Sequence, residues 1–223
     1  MADGPEIVLP LFPLNTVVFP GMLVPLHLFE ERYLRLLRER ATADPIFGII
    51  KTSHGREVAD QPEIHRVGTA ARLLVVNRLG DDSCDIVVMG TDRFSVESTD
   101  WSNGYLTATI RWVHDQPSAT DALSSAVSII RDAFEQFLVS IERSTGQSVA
   151  RSDVGHDPVS VGYAIVASLR VDPRTLQQVL EMPSPLARLE RLTSILNHER
   201  RLLHRTLAGG AALGQPGTRF HPN

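Results

Sequence analysis

The spacing of apolar residues changes once along this chain, near His114. Before that point they come in short blocks or alternate with polar residues, as strands do. After it they recur every three or four residues, as helices do. The first stretch, residues 9–37, holds both patterns. Residues 16–19 and 22–26 are β-rich and almost wholly apolar, and each reads as a strand. Pro20-Gly21 between them suits a type II turn, in which Pro presets φ and Gly accepts a positive φ. From His27 onward Phe29, Tyr33, Leu36, Leu37 and Ala41 fall at helical spacing. Glu30 and Glu31 then stand in the first turn and Arg38 and Arg40 in the last, as the helix dipole favours.

Residues 7–12 read as a first strand, at an edge or bulged, because Pro10 and Pro13 remove ladder donors. Residues 46–51 form another, in which Gly48 leaves room for a close backbone approach. Residues 52–63 are polar and read as a loop, 67–79 as a long strand bent near Gly68, and 80–83 as a hairpin turn returning into 84–90. Residues 93–98 alternate, and so do 105–113, with Leu106, Ala108, Ile110 and Trp112 on one face. Beyond Gln116-Pro117-Ser118, Thr120 or Asp121 caps a helix striped by Val127, Ile130, Phe134, Phe137, Leu138 and Ile141. Asp157-Pro158 opens a second helix over 159–169, Asp172-Pro173 a short third, and Ser184-Pro185 a fourth that Gly209-Gly210 stops. Strands first and helices after predict an α+β fold. The β-rich lobe takes residues 1–116, a helical lobe 117–208, and a flexible tail 209–223.

Composition narrows the function. The 223 residues carry a net charge of −4, with no general pull toward nucleic acid or anionic lipid. Cys84 is the only cysteine, so an internal disulfide, a cysteine zinc cluster and a CxxC redox pair are all excluded. Residues 1–5 lack the basic start of a secretory signal, and no apolar run approaches the ~20 residues of a membrane span, so a cytoplasmic protein is expected. Lys51 is the only lysine. Ile50 precedes it and Gly48 is too close, so there is no GxxxxGK[ST] phosphate loop. Residues 146–150 miss the last glycine of a GxSxG elbow. His198 and His204 stand six apart and face different sides of a helix, which argues against a shared metal. Asp81, Asp82 and Asp85 read as a hairpin rather than a calcium loop. Arg188, Arg191, Arg200, Arg201 and Arg205 line the last helix as a solvated face, with phosphate contact as the alternative.

Two stretches carry a resemblance. Leu9-Pro10-Leu11-Phe12-Pro13-Leu14, Val17-Val18-Phe19-Pro20-Gly21-Met22, Pro25-Leu26, Phe29-Glu30 and Tyr33 form the first. The second is Leu180-Glu181-Met182-Pro183-Ser184-Pro185-Leu186-Ala187-Arg188-Leu189-Glu190-Arg191-Leu192. Together they resemble the Lon amino-terminal, substrate-recognition domain family over about residues 7–207, in a standalone form without ATPase and protease domains. The resemblance implies a PUA-like β pseudobarrel carrying one helix, followed by a C-terminal helical bundle. It also implies a module that binds polypeptide and cuts nothing, because the serine–lysine dyad of Lon proteases belongs to a domain of its own.

The expected function is thus non-catalytic binding of unfolded or degron-bearing segments, or of a partner protein, by a monomer or weak dimer. No cofactor, metal, nucleic acid or membrane is expected. A Lon-type peptidase and an RNA-binding PUA-like protein are the alternatives. An exposed apolar groove in the β-lobe suits such a role. The candidate peptide-binding residues are Leu23, Val24 and Leu28, flanked by Glu30, Glu31 and Arg32.

Overall fold

A computed structural model describes residues 7–40, 46–53, 62–78, 83–151 and 153–213. Six strands and one helix come first: β1 (Ile7–Leu14), β2 (Leu23–Leu28), α1 (Glu31–Arg40), β3 (Ile46–Lys51), β4 (Val67–Arg78), β5 (Cys84–Asp100) and β6 (Thr107–Trp112). Four helices follow: α2 (Thr120–Thr145), α3 (Pro158–Ala167), α4 (Pro173–Glu181) and α5 (Pro185–Leu213). The chain is α+β, with one mixed sheet in the order β2-β5-β4-β3-β1-β6, and β5 also pairs with β6. The long β5 makes this return possible. Its first half pairs with β2, and its second half, from Phe94 to Asp100, pairs with β6.

β1 lies inside the pairing order, yet each half of it is paired on one side only. Ile7 to Pro10 pair antiparallel with β6, and Leu11 to Leu14 pair parallel with β3. The Leu11 N–H donates to Leu106 O across the β6 side at 2.8 Å, and Leu14 O accepts from Thr52 N on the β3 side at 2.8 Å. By alternation the Pro10 nitrogen faces away from β6 and the Pro13 nitrogen away from β3. Each proline therefore lacks its donor on the side where its half of the strand has no neighbour.

Residues 16–19 are not a strand but a connector whose Val17, Val18 and Phe19 are buried. Val17 and Phe19 enter the helical core, while Val18 between them enters the core under α1. The turn after it has the expected form: Met22 N donates to Phe19 O at 3.0 Å, and Gly21 has φ 79°. Gly90 lets the connector dock on β5, since a Cβ there would lie 2.3 Å from Phe19 O. Gly48 makes room for side chains rather than backbone, namely Leu11 and the Phe94 ring.

Helix α1 starts at Glu31, later than its apolar spacing suggests, with Glu30 O accepting from Tyr33 N and Leu34 N. It buries Tyr33, Leu34, Leu36 and Leu37 against Phe12, Phe47 and Ile86. Ala41, Leu79 and the turn residues 80–82 lie outside the described residues, as does 214–223 of the expected tail. Helix α2 is capped by neither Thr120 nor Asp121. Ala119 holds the cap position without a side-chain bond. Asp157 does cap α3, its carboxylate accepting from Ser160 N at 2.9 Å. Gly209-Gly210 does not stop α5, which runs on to Leu213. A glycine pair costs helix stability without forbidding helix.

Strands and helices are joined by a buried ion cluster. The Arg93 side chain on β5 donates to Leu180 O (2.7 Å), to Met182 O (2.8 Å) and to the Asp115 carboxylate (2.5 Å). Arg188 at the start of α5 donates to both Asp115 oxygens at 2.7 Å and to Met182 O at 2.8 Å, and lies over the Tyr163 ring. Burial pushes the Arg93 guanidinium below its ordinary pKa and the Tyr163 hydroxyl above its own.

Removing one partner of a buried pair leaves an uncompensated charge. Asp115→Ala therefore lowers stability by about 3 kcal/mol in urea unfolding, whereas Glu97→Ala, which breaks the exposed pair with Arg111, lowers it by less than about 1 kcal/mol. A second expectation concerns α2. Arg151 bonds Glu142 and Glu135, and the Arg151 hydrogen bond above all holds the Glu142 pKa down at about 2 from 4.5. A depressed carboxylate pKa gives stability that is present above 4.5 and lost as pH falls through about 2. An NMR titration of the Glu142 carboxyl finds its midpoint near the lower value, and in Arg151→Ala near the upper one.

Candidate functional site

Exposed apolar side chains gather at one end of the sheet, where β2, β5 and β4 lie side by side. Leu23 is 59% exposed and Phe29 63%, and Leu74, Val75 and Val76 of β4 are exposed with them. Cross-strand partners share a face. Leu23, Met89 and Arg72 make one row of the outer face, Pro25, Val87 and Val75 the next, and His27, Asp85 and Asn77 the third. His27 Nδ1 lies 2.7 Å from the Asp85 carboxylate and closes the polar row. The register slips between Leu73 and Val75, so Leu74 is the extra residue of a bulge.

Two hollows border β2. One of about 310 Å³ is lined by Phe12, Pro13, Leu14 and Thr16, by the run Pro25 to Glu30, and by Tyr33. Another of about 470 Å³ lies over Pro25, His27, Val75, Asp85 and Val87. A third, about 320 Å³, sits between the Pro20-Gly21 turn and α3, beside Val159 and Tyr163.

The sequence candidates divide. Leu23 is exposed and Val24 half-buried, but Leu28 is only 3% exposed. Leu28 belongs to the core under α1, because β2 continues to that residue and its even-numbered side chains face the helix, and it also lines the hollow of about 310 Å³. Glu30 and Arg32 pair at 2.5 Å, Arg32 lies over the Tyr33 ring, and Glu31 binds Arg38 at 2.8 Å. Spacing places Phe29 in the helix stripe, yet it precedes the helix and projects outward. The alternation of Leu23, Pro25 and His27 with Val24, Leu26 and Leu28 is the signal that places it. Arg188 is not on a solvated face either: it is 2% exposed in the ion cluster.

Lys51 is 5% exposed at the end of β3, and its Nζ donates to Thr52 O at 2.9 Å. Among the described residues no hydrogen bond joins it to a serine, and no three His, Cys, Asp or Glu side chains are grouped to hold a metal. No described helix is long and apolar enough to cross a membrane.

The family model for the substrate-binding domain of ATP-dependent protease La (LON) matches residues 8–198. The chain belongs to the Lon substrate-binding domain family. Among its relatives, the Lon protease of Anaeromyxobacter dehalogenans is 27% identical over 202 residues, covering 88% of this chain and 24% of the relative. Lon protease 2 of Myxococcus xanthus is 27% identical over 207 residues, covering 90% and 24%. The chain thus spans about a quarter of the length of these curated relatives. Its fold is that of a Lon N-terminal domain protein from Xanthomonas campestris, with a TM-score of 0.65, 24% identity, and 84% of this chain and 98% of that one covered. The N-terminal domain of a Mycobacterium avium complex Lon protease gives 0.62 at 18% identity, covering 86% and 98%.

Placement in this Lon-family fold separates core from surface in a testable way. Leu28→Ala costs about 2–5 kcal/mol in urea unfolding, as a core truncation does, while Leu23→Ala and Phe29→Ala each stay within about 0.5 kcal/mol.

Proposed function

We propose that this chain recognises unfolded or degron-bearing polypeptide segments and holds them without cutting them, as a cytoplasmic adaptor in protein quality control. In this account residues 1–116 are the gripping lobe, a PUA-like pseudobarrel carrying α1, and residues 117–208 form a helical bundle behind it. The molecule acts as a monomer or weak dimer and needs no cofactor. Membership of a substrate-binding family supports the role. The observation that carries the location is the exposure of Leu23, Phe29 and Val75, of which Phe29 and Val75 each line a hollow, at the end of the sheet farthest along the pairing order from β6. Exposed large apolar side chains beside hollows mark a contact surface.

Titration with fluorescently labelled, reduced casein tests the proposal. Saturable binding in the micromolar range is expected, with the casein intact afterwards, with or without ATP. The double substitution Leu23→Ser, Phe29→Ser weakens it about tenfold, the effect of losing two apolar anchors. Absence of saturable binding, or progressive fragmentation of the casein, overturns it.

A further inference from the structure

We infer that an extended polypeptide segment binds by adding a strand to the free edge of β2, and that Pro25 sets the strength of that pairing. The inference rests on the polypeptide-binding role above and specifies how the site achieves it. β2 ends the pairing order of the sheet, and its registered partners all lie in β5. The direction of its bonds follows from the turn that precedes it. Met22 O accepts from Gly90 N at 3.0 Å, so residue 22 points its backbone toward β5. By alternation Val24, Leu26 and Leu28 do the same, and Leu23, Pro25 and His27 point theirs outward. Among the described residues none bonds these outward backbone groups.

The open edge therefore offers the N–H and C=O of Leu23, the C=O of Pro25, and the N–H and C=O of His27. Proline has no N–H, so the middle of the edge accepts without donating. A proline on an exposed edge blunts indiscriminate strand pairing. Here it leaves two donors, four residues apart, as a weak and interrupted template.

The hollow of about 310 Å³ adds a side-chain requirement. Four consecutive residues of β2, Pro25 to Leu28, line it together with Phe12 and Tyr33. Neighbouring strand residues have side chains on opposite faces, so what they share toward one hollow is their edge. A strand laid along that edge passes over the hollow, and every second side chain points into or away from it. The apolar floor selects a leucine- or phenylalanine-sized residue there, and the backbone bonds tolerate any sequence around it. The six residues of β2 give a contact about 20 Å long. That suits a short extended segment.

Amide hydrogen exchange on the whole chain tests the pairing, with a short capped peptide of alternating leucine and threonine, carrying a fluorophore, as the probe. At saturation, read by anisotropy, the Leu23 and His27 amides slow at least tenfold, while the Val24 and Leu26 amides, already bonded to β5, do not change. Pro25→Val restores the missing donor and tightens binding about fivefold, the effect of one added hydrogen bond. Saturated peptide with unchanged Leu23 and His27 exchange, or Pro25→Val with unaltered or weaker affinity, overturns strand addition and leaves polypeptide binding standing. Failure of both this peptide and reduced casein to bind overturns both. Protection of Leu23 and His27 that rises with protein concentration, without peptide, assigns the edge to self-pairing and also overturns the inference.

Discussion

Two guanidinium groups share one carboxylate where the sheet meets the helices, and the relation between the two halves depends on that arrangement. Arg93 comes from β5, Asp115 from the segment after β6, and Arg188 from α5. The cluster carries one excess positive charge, which is satisfied by carbonyls at the end of α4, Leu180 O and Met182 O. Charges taken from water are tolerated only when every donor finds a partner. The geometry that satisfies them sets the end of α4, the start of α5 and the position of β5 relative to one another. Gln177 adds a second tie, donating to Val67 O at 2.9 Å.

The connector at residues 15–22 completes the junction from the other side. Its alternating side chains divide between two cores, and Thr69 donates to Val18 O at 2.6 Å. The β-sheet end of the molecule is thus held at the connector and at Arg93, and the connector leads directly into β2. Rigid support beneath an open edge is what a binding surface needs, because a pre-ordered receptor loses less entropy when it takes up a flexible segment.

Much of this was legible from residue order. Strands followed by helices, the Pro20-Gly21 turn, the Ile46–Lys51 strand and the Asp157-Pro158 helix start all follow from local chemistry, and the structure has them where that chemistry puts them. What local chemistry could not supply was pairing. Pro10 and Pro13 signal an edge or a bulge, and β1 meets that signal while lying inside the pairing order, because it changes partner midway and each half has a neighbour on one side only. Arg188 looked solvated by its neighbours on the helix, and only the approach of Asp115, seventy-three positions away in sequence, buries it. At the candidate site, Leu23 was visible as an exposed apolar residue. Leu28 is core as well as hollow lining, and Phe29 is exposed rather than part of the helix stripe, for one reason: the helical spacing starts at His27, four residues before the helix itself.

The central claim is that polypeptide is held at the β2 end of the sheet and not along the helices. Paramagnetic relaxation from spin-labelled, reduced casein measures this directly on the isotope-labelled chain. Broadening concentrated at Leu23, Val24, Phe29 and Val75 is the predicted result. Broadening confined to the exposed faces of α2 and α5, around Ile129 and Leu202, would contradict it.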